Sequence, residues 1–567
     1  MTGNNFVKQL SIGIAFTCSL FSACAPPTSY DLILRGGDIY DGSGADPFVG
    51  DVAIDGDTIV ALGDVGDATA TTEIDVKGLA VAPGFVNMMS WANVSLIEDG
   101  RSQSDIRQGI TLEIMGEGNS MGPLNDAMKA EMTESQVDIR YDIEWTTLAE
   151  YVEFLERRGI SPNVASFIGA ATPREYVIGH DDRPPTPTEL DDMRTIVREA
   201  MQDGALGVAS SLMYPPGLFA STDELIALSK VAAEYDGMYI SHMRDEGAHM
   251  IEAIDELLTI AREANIRAEI YHLKSSGQPN WHLFDEAITM IENAREEGLE
   301  ITADVYTYPA GATGLNVTVP PWVQEGGFAA SLERMSDPVL RQQIIREMNA
   351  PSDQWENMFL MAGSPDNILM VGFRSEALRP LTGKTVAEVA AMRGTSPEET
   401  ILDLIVEDGS RIGTVYFTQS EDIVRRVVAL PWSSFNTDAA SLAPEGVFLN
   451  SNPHPRAYGS FTRVLGKYVR DEKVLTLQEA IRKLAALPAQ TLRIDRRGEL
   501  KPGFFADVVV FDPAKVQDHA TFIEPHQYST GMVHVFVNGE QVLKDGVHTG
   551  ATPGRFVRGP GWTEAGH

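Results

Sequence analysis

His242 and His272 each close an apolar, β-branched run, Gly-Met-Tyr-Ile-Ser-His (237–242) and Ala-Glu-Ile-Tyr-His (268–272). Two parallel strands of this kind deliver their imidazoles to one end of a sheet, and neutral imidazole is a natural zinc ligand. Glu117 follows a comparable run, Thr-Leu-Glu-Ile-Met-Gly-Glu (111–117), and Asp438 ends another, Trp-Ser-Ser-Phe-Asn-Thr-Asp (432–438). A lone strand histidine is usually an ordinary buried one. Four strand ends carrying two imidazoles and two carboxylates instead predict a zinc site held by Glu117, His242 and His272, with a position left open for water. Asp438, on the last of these runs, is the candidate general base, taking a proton from that water and passing it to a leaving amine. Its alternative role is to cap a following helix. The segment Ala-Ala-Ser-Leu-Ala-Pro-Glu-Gly (439–446) has little helical periodicity to support that role.

Three more side chains are candidates for substrate contact. Lys274 follows His272 by two positions and faces the same side of an extended chain, and Arg456 lies in Asn-Pro-His-Pro-Arg-Ala-Tyr-Gly (452–459). Either cation can hold a substrate carboxylate, Arg through a bidentate fork, although a solvated surface cation is the commoner fate of both residue types. Tyr214, in Ser-Leu-Met-Tyr-Pro-Pro-Gly (211–217), adds a phenolic hydroxyl or serves equally well as a core tyrosine.

Such residues need a scaffold that aligns strand ends. Strand-like runs at 81–89, 111–116, 163–169, 205–213, 238–242, 267–272, 300–306 and 430–438 alternate with amphipathic helical stretches at 151–158, 189–202, 222–235, 250–264, 284–297 and 477–487. Repeated βα units imply a parallel sheet, and eight strands suffice for a closed (β/α)8 TIM-type barrel; a doubly wound open sheet is the alternative. Short β-type segments separated by turn residues fill 31–82 and return at 495–561, so both chain ends are expected to build one small β-sandwich. The barrel is expected over 83–494, with a Pro- and Met-rich segment around 310–415 as an insertion near its mouth, where lids sit.

The chain has 567 residues, 43% of them hydrophobic, enough for a large core. Its 44 Lys and Arg against 81 Asp and Glu give a formal net charge of −37, which excludes nucleic-acid binding as an expectation and leaves a small-molecule substrate. Both cysteines, Cys18 and Cys24, lie near the N-terminus, so no thiol chemistry is expected in the body of the protein. Lys8, the apolar stretch 10–21 and Ser-Ala-Cys-Ala-Pro-Pro (22–27) read as a signal peptide over residues 1–24. This predicts a periplasmic, bacterial cell-envelope location, lipid-anchored at Cys24 or released by cleavage nearby. The anchor would be the only membrane attachment.

Val-Ala-Pro-Gly-Phe (81–85), Ser-His-Met-Arg (241–244), Tyr-His-Leu-Lys-Ser-Ser-Gly (271–277) and His-Pro-Arg-Ala-Tyr-Gly-Ser-Phe-Thr-Arg-Val-Leu-Gly (454–466), in this order, resemble the amidohydrolase superfamily. Within it the chain is similar to the N-acyl-D-amino-acid deacylases from about Asp31 to Gly561. The resemblance implies that His242 and His272 are metal ligands and that Asp438 is the catalytic acid/base. It also implies that Lys274, Tyr214 and Arg456 receive the substrate carboxylate, and that Glu117 takes the place of a bridging cysteine. The expected activity is hydrolysis of a linear amide, with N-acyl-D-amino acids as substrates; a dipeptidase or cyclic-amide hydrolase would use the same metal and base.

The chain departs from the family after Pro-Gly-Phe, where a His-x-His pair is expected and Met89 and Trp91 stand instead. Neither thioether nor indole is a zinc ligand of the required kind, so one zinc per chain is expected. Trp91 is then a wall of the substrate pocket. If one metal does not suffice, the chain is a non-catalytic binding protein; retention of His242, His272, Asp438 and the cations favours the enzyme.

Overall fold

The computed structural model describes residue 1, residues 29–352 and residues 354–563. The leader read at 1–24, with Cys24, lies outside the described residues apart from Met1. No helix among the described residues is long and apolar enough to cross a membrane.

The chain is a mixed α/β structure. Its parallel strands are β1 (Phe85–Asn87), β2 (Ile110–Met115), β3 (Asn163–Ser166, continued by Ile168–Gly169), β4 (Gly207–Ser211), β5 (Met238–His242), β6 (Arg267–Ile270), β7 (Ile301–Val305) and β8 (Ser433–Phe435). β1, β2 and β3 pair in order, and the continuation of β3 pairs with β4, after which β4 to β8 follow in sequence. The register sets Asn87 opposite Glu113, Met115 opposite Ser166, Ser211 opposite His242 and Val305 opposite Phe435. Beyond their ends β8 and β1 also meet: Met88 N donates to Phe435 O at 3.3 Å and Asp438 N to Met89 O at 3.1 Å. Parallel strands need crossovers, and helices supply them on the outside. The helix Met250–Ala264 buries Met250, Ala253, Ile254, Leu257, Leu258 and Ala261 along one face, following its 3.6-residue period.

Strands from both chain ends share one nine-stranded sheet. Val547–His548, Glu540–Lys544, Met532–Val537 and Val508–Phe511 lead to Ala80–Pro83, then to Ser29–Ile39, Phe48–Asp55 and Thr58–Gly63, while Thr69–Asp75 also pairs with Ser29–Ile39. Side chains alternate across the Val508–Phe511 strand. Val508 and Val510 pack with Leu34, Ile54 and Val81, whereas Val509 and Phe511 join the large core beneath the parallel strands. That strand is therefore covered on both faces.

The segment after β7 is more ordered than its sequence suggests. Gly311–Gly314, Gly413–Tyr416 and Ile368–Gly372 form a three-stranded antiparallel sheet, and helices such as Pro338–Met348 and Pro397–Asp408 surround it. Leu315, Val323, Ile344, Ile368, Leu402 and Ile405 belong to a hydrophobic core of its own.

Candidate metal centre and active site

Three of the candidate side chains, Glu117, His272 and Asp438, stand just beyond strand ends where the backbone is unusual. Glu117 stands between Gly116 (φ +104°) and Gly118 (φ +65°) in the turn after β2. A Cβ on Gly118 would lie 2.6 Å from the Ser211 Cβ and one on Gly116 would lie 2.4 Å from the Phe167 carbonyl oxygen, so only glycines let this turn pass so close to its neighbours. The Glu117 carboxylate is thereby lowered onto the end of β4, where Ser211 Oγ donates to Oε1 at 3.2 Å. His272 (φ +36°) and Asp438 (φ +45°) both occupy left-handed backbone conformations that cost roughly 1–3 kcal/mol each and tend to persist where function requires them. Asp304 fixes the first of these: its Oδ1 accepts from the His272 backbone N–H at 2.5 Å and from Asn436 Nδ2 at 2.6 Å.

Glu117, His242 and His272 converge as a buried group. Glu117 Oε1 lies 3.2 Å from His242 Nδ1 and 3.8 Å from His272 Nε2, and the two imidazoles meet edge to face with centroids 4.6 Å apart. Burial would raise the Glu117 pKa, but the two imidazoles overcome it and hold the carboxyl down to about 2. His242 Nε2 is buried without a hydrogen-bond partner. An anionic carboxylate, two imidazoles and an unpartnered ring nitrogen form a donor set that fits zinc. Glu131, Glu175 and His180 form another group of ligand types among the described residues, but it is partly exposed and already paired, His180 Nε2 to Glu131 Oε2 at 3.0 Å and Glu175 to Asn119 at 3.2 Å.

A carboxylate that sequence reasoning missed completes the surroundings. Glu246 Oε1 lies 3.0 Å from His272 Nδ1 and accepts from Lys274 Nζ at 2.7 Å, while Oε2 lies 3.8 Å from His242 Nε2. Burial opposes its ionisation, yet Lys274 and the two imidazoles hold its pKa well below the ordinary carboxylate range. A His272 tautomer that donates Nδ1–H to Glu246 keeps Nε2 free on the Glu117 side, the arrangement in which metal-binding histidines are oriented by a carboxylate behind them. The signal available in the sequence was Glu246 itself, four residues beyond His242 in Ser-His-Met-Arg-Asp-Glu.

Asp438 faces this group across a cavity of about 510 Å³, lined also by Trp91, Tyr214, Lys274, Tyr306 and Arg456. All eight residues singled out in the sequence therefore border one cavity. Arg456 Nη1 pairs with Asp438 Oδ2 at 2.7 Å, and its guanidinium lies 4.5 Å from the Tyr306 ring centroid. Burial raises the Asp438 pKa, with Arg456 opposing the shift. Lys274 Nζ also reaches His272 O at 3.0 Å and crowds His272 Nδ1 at 2.6 Å, so it is anchored within the site. Tyr214 stacks edge to face on His242 with centroids 5.3 Å apart, and burial pushes its pKa up. Glu356, from the segment after β7, is a further buried carboxyl on the same cavity. Nothing in its local sequence marked it.

Parallel strands delivering a carboxylate, two imidazoles and an opposed acid to one cavity define a metal-dependent hydrolase class. The model of the Amidohydrolase family matches residues 72–543, and the chain belongs to that family. It is 32% identical to the D-aminoacylase of Alcaligenes xylosoxydans xylosoxydans over 532 residues, 93% of this chain and 97% of that protein. The solved N-acyl-D-glutamate deacylase of Bordetella bronchiseptica, complexed with zinc and a phosphonate inhibitor that mimics the reaction's tetrahedral intermediate, is 30% identical. It superposes with a TM-score of 0.76, covering 94% of this chain and all of that one. A D-aminoacylase structure with a TM-score of 0.77 and 29% identity covers 93% of this chain and all of its own; its binuclear metal centre is described by one-metal activation and second-metal attenuation.

Proposed function

We propose that this chain is a zinc-dependent amide hydrolase that deacylates N-acyl-D-amino acids. The observation that carries the reading is the convergence of Glu117, His242 and His272 opposite Asp438 over one cavity. Preference for D-configured substrates is supported by the relatives' activities. The eight parallel strands and the hydrogen bonds joining β8 to β1 support a closed (β/α)8 barrel over 83–494, with an insertion around 310–415. The shared terminal sheet supports a composite β-sandwich of 31–82 and 495–561. The leader motif supports a cell-envelope location with Cys24 as a lipid attachment point.

Glu117, His242 and His272 would hold the metal, one per chain, because Met89 and Trp91 offer no suitable donors for a second. Zinc there supplies a Lewis acid that polarises an amide carbonyl and makes water more acidic. Asp438 takes the proton of the attacking water on a carboxylate oxygen and returns it to the amine nitrogen as the C–N bond breaks, giving a carboxylic acid and a free amino acid. Its raised pKa suits both halves of that task. Arg456, beside the same carboxylate, is placed to receive the substrate carboxylate through guanidinium N–H groups beyond the one facing Asp438. Lys274 adds positive charge from its anchored position, and Tyr214, packed against His242, forms part of the cavity lining.

The test is zinc content and turnover of N-acyl-D- and N-acyl-L-amino acids by the wild type, His242→Ala and Asp438→Asn. The expected pattern is about one zinc in the wild type and in Asp438→Asn, loss of zinc in His242→Ala, and turnover of D-substrates by the wild type alone. Wild-type protein that binds zinc but turns over no N-acyl amino acid, while cleaving dipeptides or cyclic amides, would replace this reading with the corresponding hydrolase.

A further inference from the structure

Trp91 is more than a wall of the cavity. Its indole Nε1–H donates to Asp438 Oδ1 at 3.2 Å, while Arg456 Nη1 sits 2.7 Å from Oδ2. The two carboxylate oxygens therefore have different neighbours, one neutral and one cationic. We propose that Trp91 is a positioning residue for Asp438, fixing the rotation of its carboxylate so that a remaining lone pair faces the water it deprotonates. The proposal rests on the reading of Asp438 as the acid/base.

The local backbone makes such a role possible. Asp438 N donates to Met89 O at 3.1 Å and Trp91 N to Ala439 O at 3.0 Å, so the two segments are laced together on either side of the contact. Ser90 and Ala439 form a parallel bridge at the same level. Ser90 Oγ then accepts from Ala92 N at 3.1 Å at the start of the helix Ala92–Glu98, which sets where Trp91 leaves the backbone. The indole nitrogen is thus placed by paired main chain rather than by a free loop.

The chemistry of the donor matters as much as its place. An indole N–H donates one hydrogen bond, accepts none and does not titrate in the working range of an enzyme. It can orient Asp438 without exchanging protons with it. A second cation in its position would instead hold the carboxylate more firmly ionised, opposing the step in which Asp438 must carry a proton. Each carboxylate oxygen has two acceptor sites, so the Trp91 and Arg456 contacts still leave lone pairs for water and then for the leaving amine. The left-handed backbone at Asp438 gives this residue a fixed entry direction, and the indole supplies the remaining constraint, rotation about the side chain.

The decisive experiment replaces Trp91 with β-(3-benzothienyl)alanine, which keeps the fused ring and substitutes sulfur for the N–H, beside Trp91→Phe and Asp438→Asn. kcat, KM and zinc per chain are measured on one N-acyl-D-amino acid. Loss of the N–H is expected to lower kcat on the order of tenfold to a hundredfold in both Trp91 variants, the scale for a misplaced reacting group. In the benzothienyl variant, which keeps the ring shape, KM and zinc content are expected to stay at the wild-type level. A benzothienyl variant with wild-type kcat, one in which only KM rises, or one that loses zinc would overturn the proposal. Wild-type turnover by Asp438→Asn would remove the acid/base reading beneath it, a failure distinguishable from an unaffected benzothienyl variant beside an inactive Asp438→Asn.

Discussion

Glu246 stands 3.0 Å from His272 Nδ1, behind the ring nitrogen that faces Glu117, and is itself fixed by Lys274. Under the proposed metal site, Glu246 would orient His272 as a ligand without joining the ligand set. Glu246→Gln should therefore weaken zinc affinity about 10- to 100-fold, the range for removing such a partner. Competition with a chelator of known affinity measures it. Unchanged affinity would show that Glu246 serves only Lys274.

Asp438 already contacts Trp91 and Arg456, and Met89 is buried in an apolar cluster with Val86 and Met88. Activity titrated with zinc should consequently rise to a plateau near one equivalent and hold there in moderate excess. The related D-aminoacylase is described as attenuated by a second metal. A comparable decline here would mean that an additional inhibitory site exists.

Lys483 lies buried behind β8, donating to the carbonyls of Val428 and Leu430 and lying 5.2 Å from the Phe435 ring centroid. Burial pushes its pKa down to about 7. Between that value and the unfolded lysine pKa of about 10.4, the unfolded chain binds more protons than the folded one, so this residue makes stability increase with pH. Below about 7 both states are charged and its cost is complete. Denaturation midpoints at pH 7 to 10 should climb less in Lys483→Met than in the wild type, and parallel curves would refute the assignment.

Arg174 and Glu224 tie the helix Ala171–Val177 to Thr222–Ala233 by a 2.7 Å ion pair whose side chains are almost fully enclosed. Arg174 also donates to Asp181 O at 3.2 Å and Arg183 O at 2.6 Å. Replacing either partner alone with Met strands a buried charge and should destabilise the protein by about 3–5 kcal/mol. The double replacement is expected to cost less than the sum of the singles, as urea titration of all three variants would reveal.

What the sequence displays and what it conceals follow from physical distance along the chain. His242 and His272 are legible because strand geometry sends every second side chain to one face and strand ends to one rim, a rule that operates over a few residues. The Glu-flanking glycines 116 and 118 similarly announce a tight turn. Glu246 is hidden because its direction depends on a loop held by Asp245, whose Oδ1 accepts from Gly247 N at 2.8 Å and His249 N at 3.0 Å. Trp91 is recognisable as large and apolar, but the aim of its N–H depends on a strand contributed by distant sequence. The helix Pro397–Asp408 carries a legible start signal within the segment expected as an insertion near the barrel mouth: Ser396 and Glu399 form a reciprocal cap around Pro397.

The strand Val508–Phe511 slots between Ala80–Pro83 and Met532–Val537. Ala80–Pro83 runs through Gly84 directly into β1, whose far end carries Met89 and Trp91 toward Asp438. Ala80–Pro83 pairs on one edge with the early strand Ser29–Ile39, but its other edge is filled only by Val508–Phe511, more than 400 positions further along the chain. The first strand of the site is thus braced by sequence from the far end of the chain, and a chain cut before residue 508 lacks that brace. Such long-range closure is slow relative to local helix formation, and it leaves the parallel strands and the terminal sheet dependent on each other for the support of this rim.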